Sequence, residues 1–223
     1  MAALALRTLR WPFRAHLKLS ASPATPEPIR LRVLGCLVAE QAERPIEDWG
    51  GPKAGRRQAL AMFAFLFDRG GSGVDRDEVI ELIWPENDYA SAELAFHRTL
   101  GGLRRAIAPG WEKRAIAFHN DRYRLHPSLV GWTDVGEFVR LCAAPEADHE
   151  LEIHRCERAR TLYRGDYLDD CPYYGTSAEV ETRRQALRCA ASGVLTRLAD
   201  LYAIRGTLGL AALRRAEASR LME

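Results

Sequence analysis

The run from Gly50 to Trp84 constrains the fold of this 223-residue chain more than any other stretch. It opens on Gly50-Gly51-Pro52-Lys53, whose residue types favour a turn. An uninterrupted apolar segment follows, Ala59-Leu60-Ala61-Met62-Phe63-Ala64-Phe65-Leu66-Phe67. In a helix predicted over 56–68 that segment is apolar on every side, so other elements must cover it and it becomes the centre of the core. Gly70-Gly71 ends this helix. A second, shorter helix predicted near 75–84 places Val79, Leu82 and Ile83 at i, i+3 and i+4, with acids at its start where the helix dipole favours them. Pro85 stops it.

A third helix is predicted over 91–108. At about 100° per residue, Ala92, Phe96, Leu100, Leu103 and Ile107 share one arc and form a buried stripe. Leu94, Arg98, Gly101 and Arg105 lie opposite, flanked by His97, Gly102 and Arg104. A buried stripe opposite an arginine row suits a helix lying in the DNA major groove, because arginine can bind guanine O6 and N7 through two hydrogen bonds. A solvated helix face explains the same row. Next, Ile116-Ala117-Phe118 and Tyr123-Arg124-Leu125 flank His119-Asn120-Asp121-Arg122, a predicted β-hairpin with Asn-Asp in its turn. Arg122 and Arg124 share a strand face, where they can lean on phosphates or enter a minor groove. Charge guarding a sheet edge accounts for them equally well. Three helices followed by a hairpin are the parts of a winged helix-turn-helix, a fold that usually reads DNA.

Upstream, Ile29-Arg30-Leu31-Arg32-Val33 alternates apolar and basic, a half-buried strand with neighbours expected around 36–41 and 45–49. Before it, residues 1–28 hold Arg7, Arg10, Arg14 and Lys18 against one acid, Glu27, and end in a Pro-rich stretch. They read as a flexible basic arm and linker. Beyond Trp132 the chain turns to Ala, Leu and Arg with few strand formers. Helices are predicted over 135–143, 149–163, 178–205 and 208–222, the third either continuous or broken at Ser192-Gly193. The expected organisation is therefore an arm (1–28), an α+β winged-helix domain (29–130) and an all-α, tetratricopeptide-like helical domain (131–223).

Charge sharpens this division. The whole chain carries only +2, which by itself suggests no polyanion partner. Between Ala90 and His126, however, Arg98, Arg104, Arg105, Lys113, Arg114, Arg122 and Arg124 face only Glu93, Glu112 and Asp121, a local balance of +4. Residues 134–223 hold 13 basic and 15 acidic side chains, which points that half toward protein rather than DNA.

Five scattered cysteines without a C-x-x-C pair read as small buried side chains in a reducing cytoplasm. His149, His154 and Cys156 come nearest to a ligand cluster, and a helix face explains them better than a metal. No apolar run approaches the ~18 residues of a membrane span. No phosphate-binding loop, G-x-S-x-G or metal-spaced His pair is present, so neither catalysis nor a cofactor is expected.

Gly50-Gly51-Pro52-Lys53, the segment Val74-Asp75-Arg76-Asp77-Glu78-Val79-Ile80-Glu81-Leu82-Ile83-Trp84, Leu103-Arg104-Arg105-Ala106-Ile107 and Tyr123-Arg124-Leu125 together resemble the OmpR-type winged helix of bacterial antibiotic regulatory proteins, the SARP family. Asp134-Val135-Gly136-Glu137-Phe138 and Leu162-Tyr163-Arg164-Gly165-Asp166-Tyr167-Leu168 are similar to marks of the bacterial transcriptional activator domain that follows it there. The resemblance covers 29–223. It implies a regulator that binds double-stranded DNA at direct repeats and contacts RNA polymerase, with homodimerisation left open. By position, Arg98, His97, Arg104 and Arg105 would meet the major groove and phosphates, Arg122 and Arg124 would lie on the wing, and Lys53, Arg56 and Arg57 could hold further phosphates.

Two departures matter. Gly101-Gly102 stand where the family usually has a serine-arginine pair. Each interior glycine costs about 1 kcal/mol of helix stability, and the missing arginine removes a contact of about 1–3 kcal/mol. Glycine also lets a phosphate or a backbone come close. A winged-helix interaction module that has lost DNA binding is therefore the competing reading. The helical half also looks short, as one fragment of a longer regulator or a stack completed by a partner.

Overall fold

The computed structural model describes residues 26–50, 55–171, 173 and 177–223. The expected arm lies almost wholly outside these residues, and so does Lys53.

Alternation of apolar and charged side chains makes β1 (Ile29–Arg32) a strand with Ile29 and Leu31 fully buried. It pairs antiparallel with β2 (Val38–Gln41), which pairs antiparallel with β3 (Arg44–Pro45). Ala42 and Glu43 turn between them at φ 51° and 60°. The expected strand over 45–49 is thus only the two residues Arg44 and Pro45, and Trp49 instead packs its ring 5.0 Å from Phe63. Burying that indole outweighs extending a short edge strand.

The apolar segment forms α1 (Arg56–Arg69), buried from Ala61 to Asp68. Then come α2 (Arg76–Ile83) and α3 (Tyr89–Ile107). An Asp75–Glu78 capping box starts α2, and Asp88 caps α3 by accepting from the Ser91 amide at 3.0 Å. Ala92, Phe96, Leu100, Leu103 and Ile107 are buried, as their spacing requires. A single turn, α4 (Glu112–Ala115), leads into the hairpin of β4 (Ile116–His119) and β5 (Arg122–Leu125). Asn120 and Asp121 take φ 50° and 55°, the left-handed pair a two-residue hairpin turn needs. Val74 bonds Tyr123 in both directions, at 2.9 and 2.8 Å, and adds a third bridge to the wing.

β6 (Val130–Thr133) returns to pair parallel with β1, giving the order β3-β2-β1-β6. The expected boundary at 130/131 falls inside this strand. The chain then runs directly into α5 (Asp134–Ala143), α6 (His149–Leu162), α7 (Ala178–Ile204) and α8 (Leu208–Arg220). The fold is a winged helix followed by a helical domain. Helix α7 is continuous over 27 residues. One interior glycine costs only about 1 kcal/mol, while Ala190, Ala191, Val194 and Leu195 around Gly193 are buried and Ser192 Oγ donates to the Ala218 carbonyl of α8 at 3.3 Å.

The two halves share one core. Asp134, 1% exposed, accepts from the amides of Val33 (2.8 Å) and Leu34 (3.1 Å) at the end of β1 and from Arg164 (2.9 Å). The segment 164–170 is stitched to the same strand end: Gly35 N donates to Asp166 O at 2.9 Å, Leu168 N to Val33 O at 2.8 Å and Leu37 N to an Asp170 oxygen at 2.8 Å. From this segment the Tyr167 hydroxyl reaches Asp68 of α1 at 2.9 Å, and Arg183 of α7 pairs with the same carboxylate.

Within the helical half, the Glu152 carboxylate accepts from Arg155 at 2.6 and 2.7 Å and from the Glu146 amide at 2.8 Å. The Arg155 bonds lead in holding its pKa at about 2 rather than 4.5. Because this carboxyl is lowered in the folded state, its contribution is complete above the unfolded value and disappears as pH falls from 4.5 to about 2. The increment is on the order of 3 kcal/mol. Urea unfolding as a function of pH should show it in the wild type and not in Glu152→Gln; identical acid limbs would refute the assignment.

Candidate nucleic-acid interface

The exposed side of α3 is set by what its other side buries. Leu94, Arg98, Gly101 and Arg105 fall within about 60° of one another at 100° per residue, opposite the buried stripe. Leu94 is 52% exposed, and His97, Arg98 and Arg105 are exposed with it. Among the described residues, neither Arg98 nor Arg105 has a carboxylate or carbonyl oxygen within hydrogen-bonding range. They stand seven residues apart, about 10.5 Å along the axis, on one face. The sequence-predicted row is thus brought together as two exposed guanidinium groups without a hydrogen-bonded partner among the described residues, with an imidazole beside them and the Glu112 carboxylate near enough to Arg105 to feel its charge.

The other expected arginines are placed differently. Arg104 turns toward the hairpin, where its Nε and one terminal nitrogen donate to the Ile116 carbonyl at 3.1 and 2.5 Å. It is half-buried, and burial holds its pKa below the usual guanidinium value. On the wing, Arg122 donates to Gly73 O at 3.2 Å and lies 3.8 Å from Glu78. Arg124 donates to Gly71 O at 3.1 Å and His119 O at 2.7 Å. These two share a strand face as expected, but that face rests on the turn before Val74 rather than standing free in solvent. Gly73 makes this possible: at φ +69° it presses so close that a Cβ there would lie 2.8 Å from Tyr123 O. At the wing tip Phe118 is exposed, its ring 4.7 Å from Tyr123. Arg56 and Arg57 are exposed at the head of α1, with the Arg57 guanidinium 6.0 Å from the Tyr173 ring.

Gly101 and Gly102 have different surroundings. A Cβ on Gly101 would meet only the flexible end of Arg105, at 3.6 Å. Gly102 is buried, and a Cβ on it would overlap the Gly50 carbonyl, 2.8 Å from its carbon. Position 102 therefore faces the turn at Gly50 and not the exposed row. Of the two close approaches that glycine allows here, by a phosphate or by a backbone, the structure has the second at Gly102, made by the chain's own Gly50.

Sequence reasoning missed Asp68, although a carboxylate on a helix that is apolar all round has little solvent to reach. The described residues hold no His, Cys, Asp or Glu group arranged for a metal, and no helix long and apolar enough to cross a membrane.

A helix with an exposed basic face beside a hairpin wing, joined through one core to a helical array, makes a winged helix followed by a helical domain. No protein-family model matches the chain, and no curated protein does. A solved structure of Mycobacterium tuberculosis EmbR in complex with a low-affinity phosphopeptide is similar to it at a TM-score of 0.54 and 18% identity, over 87% of this chain. The chain spans 58% of that chain's length. This likeness is one of fold, a winged helix followed by a helical domain.

Proposed function

We propose that the chain is a sequence-specific, double-stranded-DNA-binding regulator of transcription, with α3 in the major groove and the β4–β5 hairpin on the flanking backbone or minor groove. The observation that carries this reading is the pair Arg98 and Arg105, exposed on one face opposite the buried stripe of the same helix. In this proposal 29–130 reads DNA, with Arg98, Arg105 and His97 toward base edges and Arg122, Arg124, Arg56 and Arg57 toward phosphates through their remaining donors. The helical part, 131–223, is the proposed contact for RNA polymerase and for a second copy of the chain. The setting is the cytoplasm, and no cofactor is required.

The test is selection of bound duplexes from a randomised pool, followed by affinity measured against salt. Binding should saturate at low salt, with log K falling against log salt by about 0.9 per phosphate contacted. Arg98→Ala and Arg105→Ala should each change the preferred sequence, at about 1–3 kcal/mol per contacted base. Arg122→Ala should weaken all duplexes alike and reduce the salt slope by about 1. If all three variants keep wild-type affinity and preference, the docking geometry is wrong.

A protein-interaction module is the second reading, favoured by the absence of a side chain at Gly101 within the exposed row. A folded chain that enriches no duplex and shows no saturable binding would favour it over the first reading.

A further inference from the structure

We propose that Arg104 is a positioning residue that sets the angle between α3 and the wing, and so the spacing between the major-groove bases and the flank that a bound duplex presents to them. The inference rests on the DNA-binding reading and assigns to Arg104 a role other than direct contact. Beside the apolar core that α3 shares with Ile116 and Leu125, two specific contacts between α3 and the hairpin stand well apart along the helix. One is apolar, the Phe96 ring edge-on to Tyr123 at 5.1 Å. The other is polar, Arg104 to the Ile116 carbonyl. Eight residues separate them, about 12 Å along the helix axis.

Attachment at two separated points fixes an angle, whereas attachment at one leaves a pivot. Other ties of the wing, Val74 to Tyr123, Arg122 to Gly73 and Arg124 to Gly71, run to the chain between α1 and α2, and Arg122 also lies 3.8 Å from Glu78 of α2; none of these reaches α3. Without Arg104 the Ile116 end of β4 loses its polar link to α3, and non-directional apolar packing alone sets its angle against the helix. Ile116 is itself fully buried, so few groups can replace the lost donor. The orientation of Arg104 agrees with this role. Two of its nitrogens converge on one carbonyl inside the protein, while Arg105, its neighbour in sequence, points into solvent.

The experiment compares wild type, Arg104→Gln and Arg104→Lys on a duplex selected by the wild type, reading affinity, salt slope and a hydroxyl-radical footprint. Positioning by Arg104 predicts that Arg104→Gln loses affinity by about tenfold, keeps the wild-type salt slope, and loses protection on the flank under the wing while protection at the centre remains. General loss of stability would fade the whole footprint evenly and would overturn the proposal. A salt slope reduced by about 0.9 with the flank still protected would identify a direct phosphate contact and also overturn it. Should Arg104→Gln not fold, Arg104→Lys gives the same decision. Lysine keeps the charge a phosphate needs but not the two-nitrogen grip on Ile116, so flank protection should weaken with the slope unchanged, and full wild-type behaviour would reject positioning. If the wild type binds no duplex, the functional reading fails and this assignment falls with it.

Discussion

Replacing Asp68 by alanine is expected to destabilise the chain by about 3–5 kcal/mol, a large part of the ~5–15 kcal/mol that holds a typical domain folded. Asp68 is 1% exposed at the end of α1, where it pairs with Arg183 of α7 and accepts from the Tyr167 hydroxyl at 2.9 Å. Arg183 is itself largely buried, and burial lowers its pKa, so water replaces the lost carboxylate poorly. The large effect comes from the stranded cation rather than from the net worth of the pair. Two controls separate these terms. Asp68→Asn keeps an oxygen that can accept from both Tyr167 and Arg183, which meet the same Asp68 oxygen, but removes the compensating charge, and should recover only part of the loss of Asp68→Ala. The double variant Asp68→Leu with Arg183→Met removes both charges and should recover most of the loss. Urea unfolding of the full chain reads all three. A loss below about 1 kcal/mol in Asp68→Ala would mean that the pair behaves like an exposed one.

Gly102→Arg is expected to weaken the fold instead of strengthening DNA binding, by about 3 kcal/mol at the upper end of overpacking effects. Its Cβ would have to displace the backbone of Gly50, which sits at φ +78° and is itself a poor site for any other residue. A rotamer change cannot relieve a collision between a Cβ and a carbonyl. Gly101→Ala should do the opposite: the space is open, and alanine in a helix interior is worth up to about 1 kcal/mol over glycine. Thermal melting of the two variants tests the contrast. If Gly102→Arg melts like the wild type and binds duplex more tightly, the turn at Gly50 is not held where the structure places it, and the glycine pair reads as a lost arginine contact.

The stripe of α3, the all-apolar α1 and the Asn-Asp turn of the hairpin were legible from residue types, because each follows from a local period or a local φ requirement. So was the basic row at Arg98 and Arg105, which lies opposite the stripe on any regular helix. The direction of Arg104 was not. By angle it belongs to the flank of that row, and only the nearby Ile116 carbonyl turns it inward. Nor could the face shared by Arg122 and Arg124 be read as covered, since the turn that covers it lies about fifty residues earlier.

The sequence by itself determined the order of elements, the buried face of each helix and where uncompensated positive charge accumulates, because these depend on neighbours within a few residues. Tertiary structure alone decided that β6 closes the first sheet, that α7 runs unbroken past Gly193, that Asp68 and Asp134 join the two halves, and that Gly102 meets Gly50. Each of these depends on partners brought together from distant parts of the chain. There, burial and hydrogen-bond satisfaction outweigh the roughly 1 kcal/mol preferences that local composition expresses.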